Sequence, residues 1–349
     1  MRRRPFLAAL PFLAGAPAAL ALPERGLVFP SDHGAHPDLR TEWWYITGQA
    51  EAGGRRFGFQ VTFFRSRVDA TQGMQSRFAA KQLLFAHAAL TDVAGRKLWH
   101  DQRIARQGFG IAEAAIDDAN LRLRDWSLVR EGTRWTARIP AGEFLLDLRC
   151  EQVQPVLLQG RAGLSRKGPQ AAQASYYYSL PQLRVDGRIA LQGQRFDVGG
   201  KAWLDHEWSE ALLHPDAVGW DWIGMNLDDG SALTAFRLRR SDGTALWDGG
   251  SFRGADGALR VATQGETAFS PQRRWTSALS NTTYPVEWRV RTLAGIYTVR
   301  AVIDNQELDS RASTGAIYWE GLSDLVDGSG RTVGRGYLEM TGYAQRLRL

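Results

Sequence analysis

The stretch KAWLDHEWSE (201–210) sets Asp205, His206 and Glu207 side by side between Trp203 and Trp208. SDHGAHPDLRTEWWYITG (31–48) repeats the ingredients with His33, His36, Glu42, Trp43 and Trp44. Carboxyl and imidazole groups set against indoles suit acid–base work in an apolar place. Burial disfavours charge, so a carboxyl kept from water stays neutral near pH 7 and can release its proton to a substrate. Such a proton transfer leaves a cation on an apolar substrate, and aromatic faces can stabilise it. Asp205, His206, Glu207 and Asp221 are the candidate acids and bases, set among Trp203, Trp208, Trp220 and Trp222. His33, His36, Glu42, Trp43, Trp44 and Tyr177 complete the candidate ligand site.

Competing chemistries fail on spacing. His33-x-x-His36 offers two imidazoles, but a zinc site wants a third ligand, and none stands at a recognised spacing, so no metal is expected. HEWSE has Glu210 where a metalloprotease helix needs its second histidine. No Gly-x-Ser-x-Gly elbow occurs, nor a phosphate-cradling glycine loop, and no cofactor is expected. Cys150 is the one cysteine. It continues the alternation Phe144, Leu146, Leu148 and reads as a small buried hydrophobe.

The elements that must hold these groups read as strands. RRFGFQVTFFR (55–65), LRLRDWSLVRE (121–131), FLLDLRC (144–150), LTAFRLRR (233–240), VEWRVRT (286–292) and IYTVRAVI (296–303) alternate or run apolar over short lengths. Turn signals stand at Gly53-Gly54, Asp186-Gly187, Asp229-Gly230, Asp242-Gly243, Asp256-Gly257 and Asp327-Gly328. A short helix is expected only at 112–118. Many strands, hairpin turns and no βαβ rhythm mean an all-β antiparallel protein of barrels or sandwiches. EWWYITGQAEAGGRRFGFQVTFFR (42–65) and GWDWIGMNLDDGSALTAFRLRR (219–240) superimpose as a Trp-rich strand, a glycine turn and a strand ending in Phe and Arg. That duplication predicts two related domains, which suits 349 residues.

Composition sets limits on partners. With 44% hydrophobic and 23% charged residues the chain can bury a core and is not disordered. Removing the three leader arginines brings the formal +6 down to +3, and the remaining basic residues are scattered among acids. Nucleic-acid binding needs a clustered basic face, so it is excluded. MRRRPFLAALPFLAGAPAALA has the charged start, apolar middle and small-x-small end of a secretory signal, with cleavage expected after Ala21. Arg3-Arg4-Pro5-Phe6-Leu7 resembles a twin-arginine export pattern, although Arg2 stands where Ser or Thr is usual. No later segment is apolar for long enough to span a bilayer as a helix. The mature chain is expected to be periplasmic or secreted.

DHGAHPDLRTEWWYITG, ASYYYSLPQLRVDGRI (174–189), KAWLDHEWS, GWDWIGMNLDDG and YWEGLSDLVDGSGRTVGRGYLEMTGY (318–343) resemble the AttH/carotenoid 1,2-hydratase family over nearly the whole mature chain. The resemblance implies two tandem lipocalin-like barrels, expected at 28–208 and 212–347. It also implies a hydrophobic ligand held inside or between them, with some members encoded beside ABC-type transporters. Carotenoid hydratases of the family carry a Tyr-x-Asp element on the strand after KAWLDHEWS, whereas Leu233-Thr234-Ala235-Phe236-Arg237 has no acid. Two functions follow as expectations. One is an exported protein that binds a hydrophobic small molecule and hands it to or from a transporter, favoured because no complete catalytic set is visible. The other is a hydratase or hydrolase acting on an apolar substrate. In either case the first strand from Glu42 and the last strand through Trp208 should pair, with His206 within reach of Glu42 in a polar corner of a seam pocket.

Overall fold

The computed structural model describes residues 21–347, so the leader, apart from Ala21, lies outside the described residues. The chain is all-β: two antiparallel sheets of 13 and 10 strands and one two-stranded ribbon. Helix among the described residues is confined to the 3-10 turns Ser31–His33 and Asp69–Thr71. The helix expected at 112–118 does not form. Ala112–Ala114 is a strand that buries its two alanines and pairs with Asn120–Leu123, so ladder bonding overrides the helical preference of alanine.

The first sheet takes the strands from Thr41 to Ser209 and the second those from Gly219 to Met340. In the first, Thr41–Ala52 pairs with the closing strand Gln194–Ser209. The sheet continues on one side through Arg55–Arg67, Gln82–Asp92 and Lys97–Arg106, and on the other through Ala174–Leu191, Phe144–Glu151 and four shorter strands. Its ends nearly meet. Gly142 N donates to Asp101 Oδ2 at 3.0 Å, and the Arg103 guanidinium lies 4.7 Å from the Trp126 ring centre. The result is a nearly closed barrel. The second sheet repeats the order: Gly219–Leu227 pairs with its closing strand Thr332–Met340, then Ala232–Arg239 and Ala245–Arg253 follow on one side and Ala316–Val326 on the other.

Two glycine signals resolve differently. Gly53 and Gly54 take φ of 55° and 80° and close the opening hairpin, as the sequence suggests. Gly187 is no turn but lies inside the long strand Ala174–Leu191 at φ 144°. A Cβ there would sit 2.2 Å from the Asp147 carbonyl oxygen, so this glycine lets two strands pass closely.

The three larger apolar clusters follow from this arrangement. Trp44, Trp126, Trp135 and Trp208 pack inside the first barrel, and Trp288, Trp319 and Tyr284 inside the second sheet. Tyr45, Trp203, Trp222, Phe236, Leu322 and Tyr337 pack where the two sheets press together. Cys150 is buried, and burial pushes its thiol up to about 12, leaving it inert.

Candidate active site

Strand pleat sorts the titratable residues of both motifs into two groups, because successive side chains point to opposite faces. Register aligns Phe63, Trp44, His206 and Tyr178 in one row across four strands, and Arg65, Glu42, Trp208 and Tyr176 in the next. These rows face the barrel interior. The alternate rows, Thr62–Tyr45–Asp205–Ser179 and Phe64–Trp43–Glu207–Tyr177, face the second sheet.

The interior group is a closed polar network. Glu42 Oε1 lies 2.9 Å from His206 Nε2 and 2.7 Å from His36 Nδ1. Its other oxygen accepts from Arg65 Nε at 2.7 Å and from the His36 backbone N–H at 2.9 Å. His36 Nε2 reaches Asp32 at 2.9 Å, and Arg25 holds that carboxylate with two bonds of 2.7 and 2.9 Å. His33 Nδ1 lies 2.6 Å from Tyr178 Oη, Trp44 Nε1 donates to the His33 carbonyl at 2.9 Å, and the His36 ring stacks on Trp208 at 3.9 Å. Burial alone would raise Glu42, but bonds from His206 and His36 and the charge of Arg65 outweigh it and hold the carboxylate well below its ordinary range. Burial opposes charge on His36 too, yet its bonds to Asp32 and Glu42 leave its pKa raised. Burial lowers His206 to about 4 and His33 to about 3, so both are neutral at pH 7.

His36, Glu42 and His206 offer ligand atoms within 4.8 Å of one another, a set that could hold a metal by residue type and spacing. Each is already engaged, and Arg65 and Arg25 stand as counter-charges to Glu42 and Asp32.

The outward group lines a cavity of about 300 Å³ between the sheets. Of the residues singled out from sequence, Asp205, Glu207, Trp43, Tyr177, Trp220 and Trp222 reach it. His33, His36, Glu42, Trp44, His206 and Trp208 do not, because the pleat turns the last four into the barrel and the loop before the first strand bonds His33 and His36 to that network, so the expected polar corner forms but stands outside the seam pocket. Asp221 points away as well, paired with Arg237 at 2.7 Å and Arg239 at 3.1 Å. Trp203 lies behind the wall and donates from Nε1 to Asp205 Oδ1 at 2.7 Å.

Asp205 also accepts from Tyr177 Oη at 2.7 Å and from Ser179 Oγ, yet burial dominates and pushes its carboxyl up to about 7. Glu207 accepts from Ser175 Oγ and pairs with Lys167 Nζ at 2.9 Å; that ammonium lies 4.3 Å from the Phe236 ring centre.

The second sheet contributes residues that the sequence reading missed. Glu320 and Glu339 stand directly opposite each other on neighbouring strands, and Trp222 follows Glu339 in the same row. Both carboxyls line the cavity. Burial, with the charge of Glu339 next, raises Glu320 well above the ordinary carboxylate range, and burial pushes Glu339 up to about 7. Further along, His87 Nδ1 lies 2.8 Å from Tyr318 Oη and its Nε2 2.8 Å from Ser313 Oγ, tying the two sheets together. Burial lowers His87 to about 3, so it acts as a neutral partner. Glutamates within the apolar runs AIYWEGL and GYLEM were the available signal: an acid on a buried strand needs a reason.

Two lipocalin-like sheets of matching strand order, closed on a carboxyl-lined apolar seam, define the class of protein. The AttH-like family model matches residues 20–343, and the chain belongs to that family. An AttH-type protein of Nitrosomonas europaea is 48% identical, with a TM-score of 0.87 over 93% of this chain and 100% of that one. Kievitone hydratase of Nectria haematococca superimposes with a TM-score of 0.71 at 14% identity, over 91% of this chain and 93% of that one. CghA does so with a TM-score of 0.51 at 14% identity over 88% of each chain. At that identity the last two share the fold. No curated protein matches the chain.

Proposed function

We propose that the protein is a hydro-lyase that adds water, under acid catalysis, to a carbon–carbon double bond of an apolar substrate held in the seam cavity. The observation that carries this reading is the Glu320–Glu339 pair, one carboxyl buried and its neighbour half-buried, opposite each other beside Trp222 in a cavity walled by aromatic rings. Like charges so close in an apolar place cannot both ionise, so the pair retains a proton near neutral pH. Its O–H gives that proton to one alkene carbon, the π electrons form the new C–H bond, and the adjacent carbon becomes cationic. Trp43, Trp220 and Trp222 present ring faces to stabilise this charge. Water bonds to the cation, and the proton it loses restores the carboxyl. Asp205 is less suited to donate, since Tyr177, Ser179 and Trp203 already bond its two oxygens. It instead fixes the Tyr177 wall.

Kinship with the fold of a hydratase supports the reading over simple binding. The leader places the protein outside the cytoplasm in this proposal, and N-terminal sequencing of exported protein should begin at Leu22. The test of the chemistry is incubation with prenyl-type alkenes in ¹⁸O-labelled water. The native protein should yield an alcohol carrying the label, and Glu320→Gln and Glu339→Gln should abolish it. Unchanged turnover in both variants would remove the pair from the mechanism.

A further inference from the structure

Phe78 and Phe109 are the two exposed aromatic residues among the described residues, and they stand together at one corner of the first barrel. Phe78 is 64% exposed and Phe109 47%, and their rings stack with centres 5.6 Å apart. Met74 and Ile111, from the same two loops, are exposed as well. Single exposed apolar residues are ordinary, but a cluster assembled from two loops marks a contact surface. The backbone agrees. Phe109 takes φ 62° between Gly108 at 102° and Gly110 at 67°. A bulky side chain in the left-handed region is strained, and an exposed ring returns no core burial to offset it.

The charges around these rings have one sign. Residues 72–81 and 104–112 carry Arg77, Lys81 and Arg106 and no acid. None of the three has an ion-pair partner among the described residues, whereas Arg67 and Arg103 close by are paired with acids. The Arg106 guanidinium lies 4.2 Å from the Phe109 ring centre and 5.4 Å from that of Phe78, and Arg77 lies 5.8 Å from Phe109.

This corner adjoins the seam cavity. Arg106 stands opposite Leu83, Leu83 opposite Ser66 and Ser66 opposite Thr41, and the last three line the cavity. Ile104, two residues before Arg106 on the same face of its strand, also lines the cavity and is 37% exposed. The row that walls the chamber therefore runs out into the patch.

We propose that this corner docks the protein on an anionic lipid bilayer, with Phe78 and Phe109 entering the headgroup layer and Arg77, Lys81 and Arg106 meeting lipid phosphates. Apolar rings beside unpaired cations fit that surface, since each cation gains from the negative interface and each ring from leaving water. A bilayer is also where an apolar molecule resides, and docking here sets the mouth of the cavity against it. The docking does not depend on hydration in the seam.

The test is co-sedimentation of the mature chain at pH 7 with vesicles of phosphatidylcholine and phosphatidylglycerol in equal parts, against vesicles of phosphatidylcholine alone. The protein should pellet with the anionic vesicles and be released as salt is raised. Phe78→Ser combined with Phe109→Gly should weaken that binding about tenfold or more, the worth of one buried ring or better. Glycine suits the φ of Phe109, and both rings are exposed, so this variant should stay folded. Arg77→Gln and Lys81→Gln should each weaken binding about fivefold. Equal binding to both vesicles, binding to neither, or anionic binding that survives all these substitutions would overturn the proposal. So would self-association of the native chain that the double variant abolishes, which would assign the face to a second copy. Vesicle binding without label incorporation would sink hydration alone, and label incorporation without vesicle binding would sink this proposal alone.

Discussion

His206 and Asp205 are adjacent in sequence, equally buried, and belong to opposite electrostatic worlds. His206 looks into the first barrel, where Glu42 meets Arg65, His36 and His206 itself and is held ionised far below its ordinary range. Asp205 looks across the seam, where Glu207, Glu320 and Glu339 share the chamber with Lys167 alone, and its carboxyl is raised to about 7. Burial acts the same way on both sides. What differs is the supply of opposite charge. A buried carboxylate held by a guanidinium and N–H donors is structure, whereas carboxyls facing one another in an apolar place keep a proton to lend.

The largest effects should come from breaking the inner network. Glu42→Ala leaves Arg65 buried without its anion and should cost about 3–5 kcal/mol in urea unfolding. Trp44→Ala, which opens a void in the barrel core, should cost about 3–5 kcal/mol. Neither should change the hydration rate at temperatures where the variant is folded, since neither side chain reaches the cavity.

Glu339→Gln should do the opposite. Raised from 4.5 to about 7, the native carboxyl costs stability as pH climbs from its unfolded to its folded pKa, then stays costly above. At about 1.4 kcal/mol per pKa unit, the Gln variant should gain on the order of 3 kcal/mol over native protein above pH 7, with the gain vanishing toward pH 4. That variant would be more stable and less active, as expected where function requires an uncomfortable group. Native hydration activity should correspondingly fall as pH rises past 7.

Neighbouring tryptophans sharpen the contrast further. Trp43→Ala should weaken ligand binding by about 1–3 kcal/mol, since its ring lines the cavity, whereas Trp44 does not reach the cavity at all. The smallest expected effect is at His36. Its folded pKa is raised, so its contribution is complete below the unfolded value of 6.5 and is lost as pH rises through the folded one. His36→Gln should therefore cost about 1–2 kcal/mol at pH 6, the worth of hydrogen bonds to charged groups, and progressively less as pH rises through the folded pKa.

Much of this architecture is legible in the residues. Alternation and glycine turns predict an all-β chain, and the pairing of first with last strand brings Glu42 to His206 as expected. Which face of those strands is interior is not legible, because both faces are buried. From Ala202 to Ser209 every residue is buried, so no polar-out alternation marks the solvent side. Motif proximity then groups Asp205 with His206 although the pleat separates them. Glu320 and Glu339 stay hidden for a different reason. Each is a lone acid in an apolar run, and only the register of two strands distant from KAWLDHEWSE sets them opposite one another and across from Asp205.

The central claim is that the seam holds protonated carboxyls at neutral pH while the barrel interior holds an ionised one. Carbon-13 NMR of protein labelled at the glutamate carboxyl carbon, titrated from pH 4 to 9, measures this directly, with Glu42→Gln, Glu320→Gln and Glu339→Gln assigning the three signals. Glu339 should titrate near pH 7 and Glu320 well above the ordinary range, while Glu42 keeps its carboxylate shift to the lowest pH at which the fold survives. Titration of Glu320 and Glu339 near pH 4 to 5, together with an ordinary Glu42, would contradict the account.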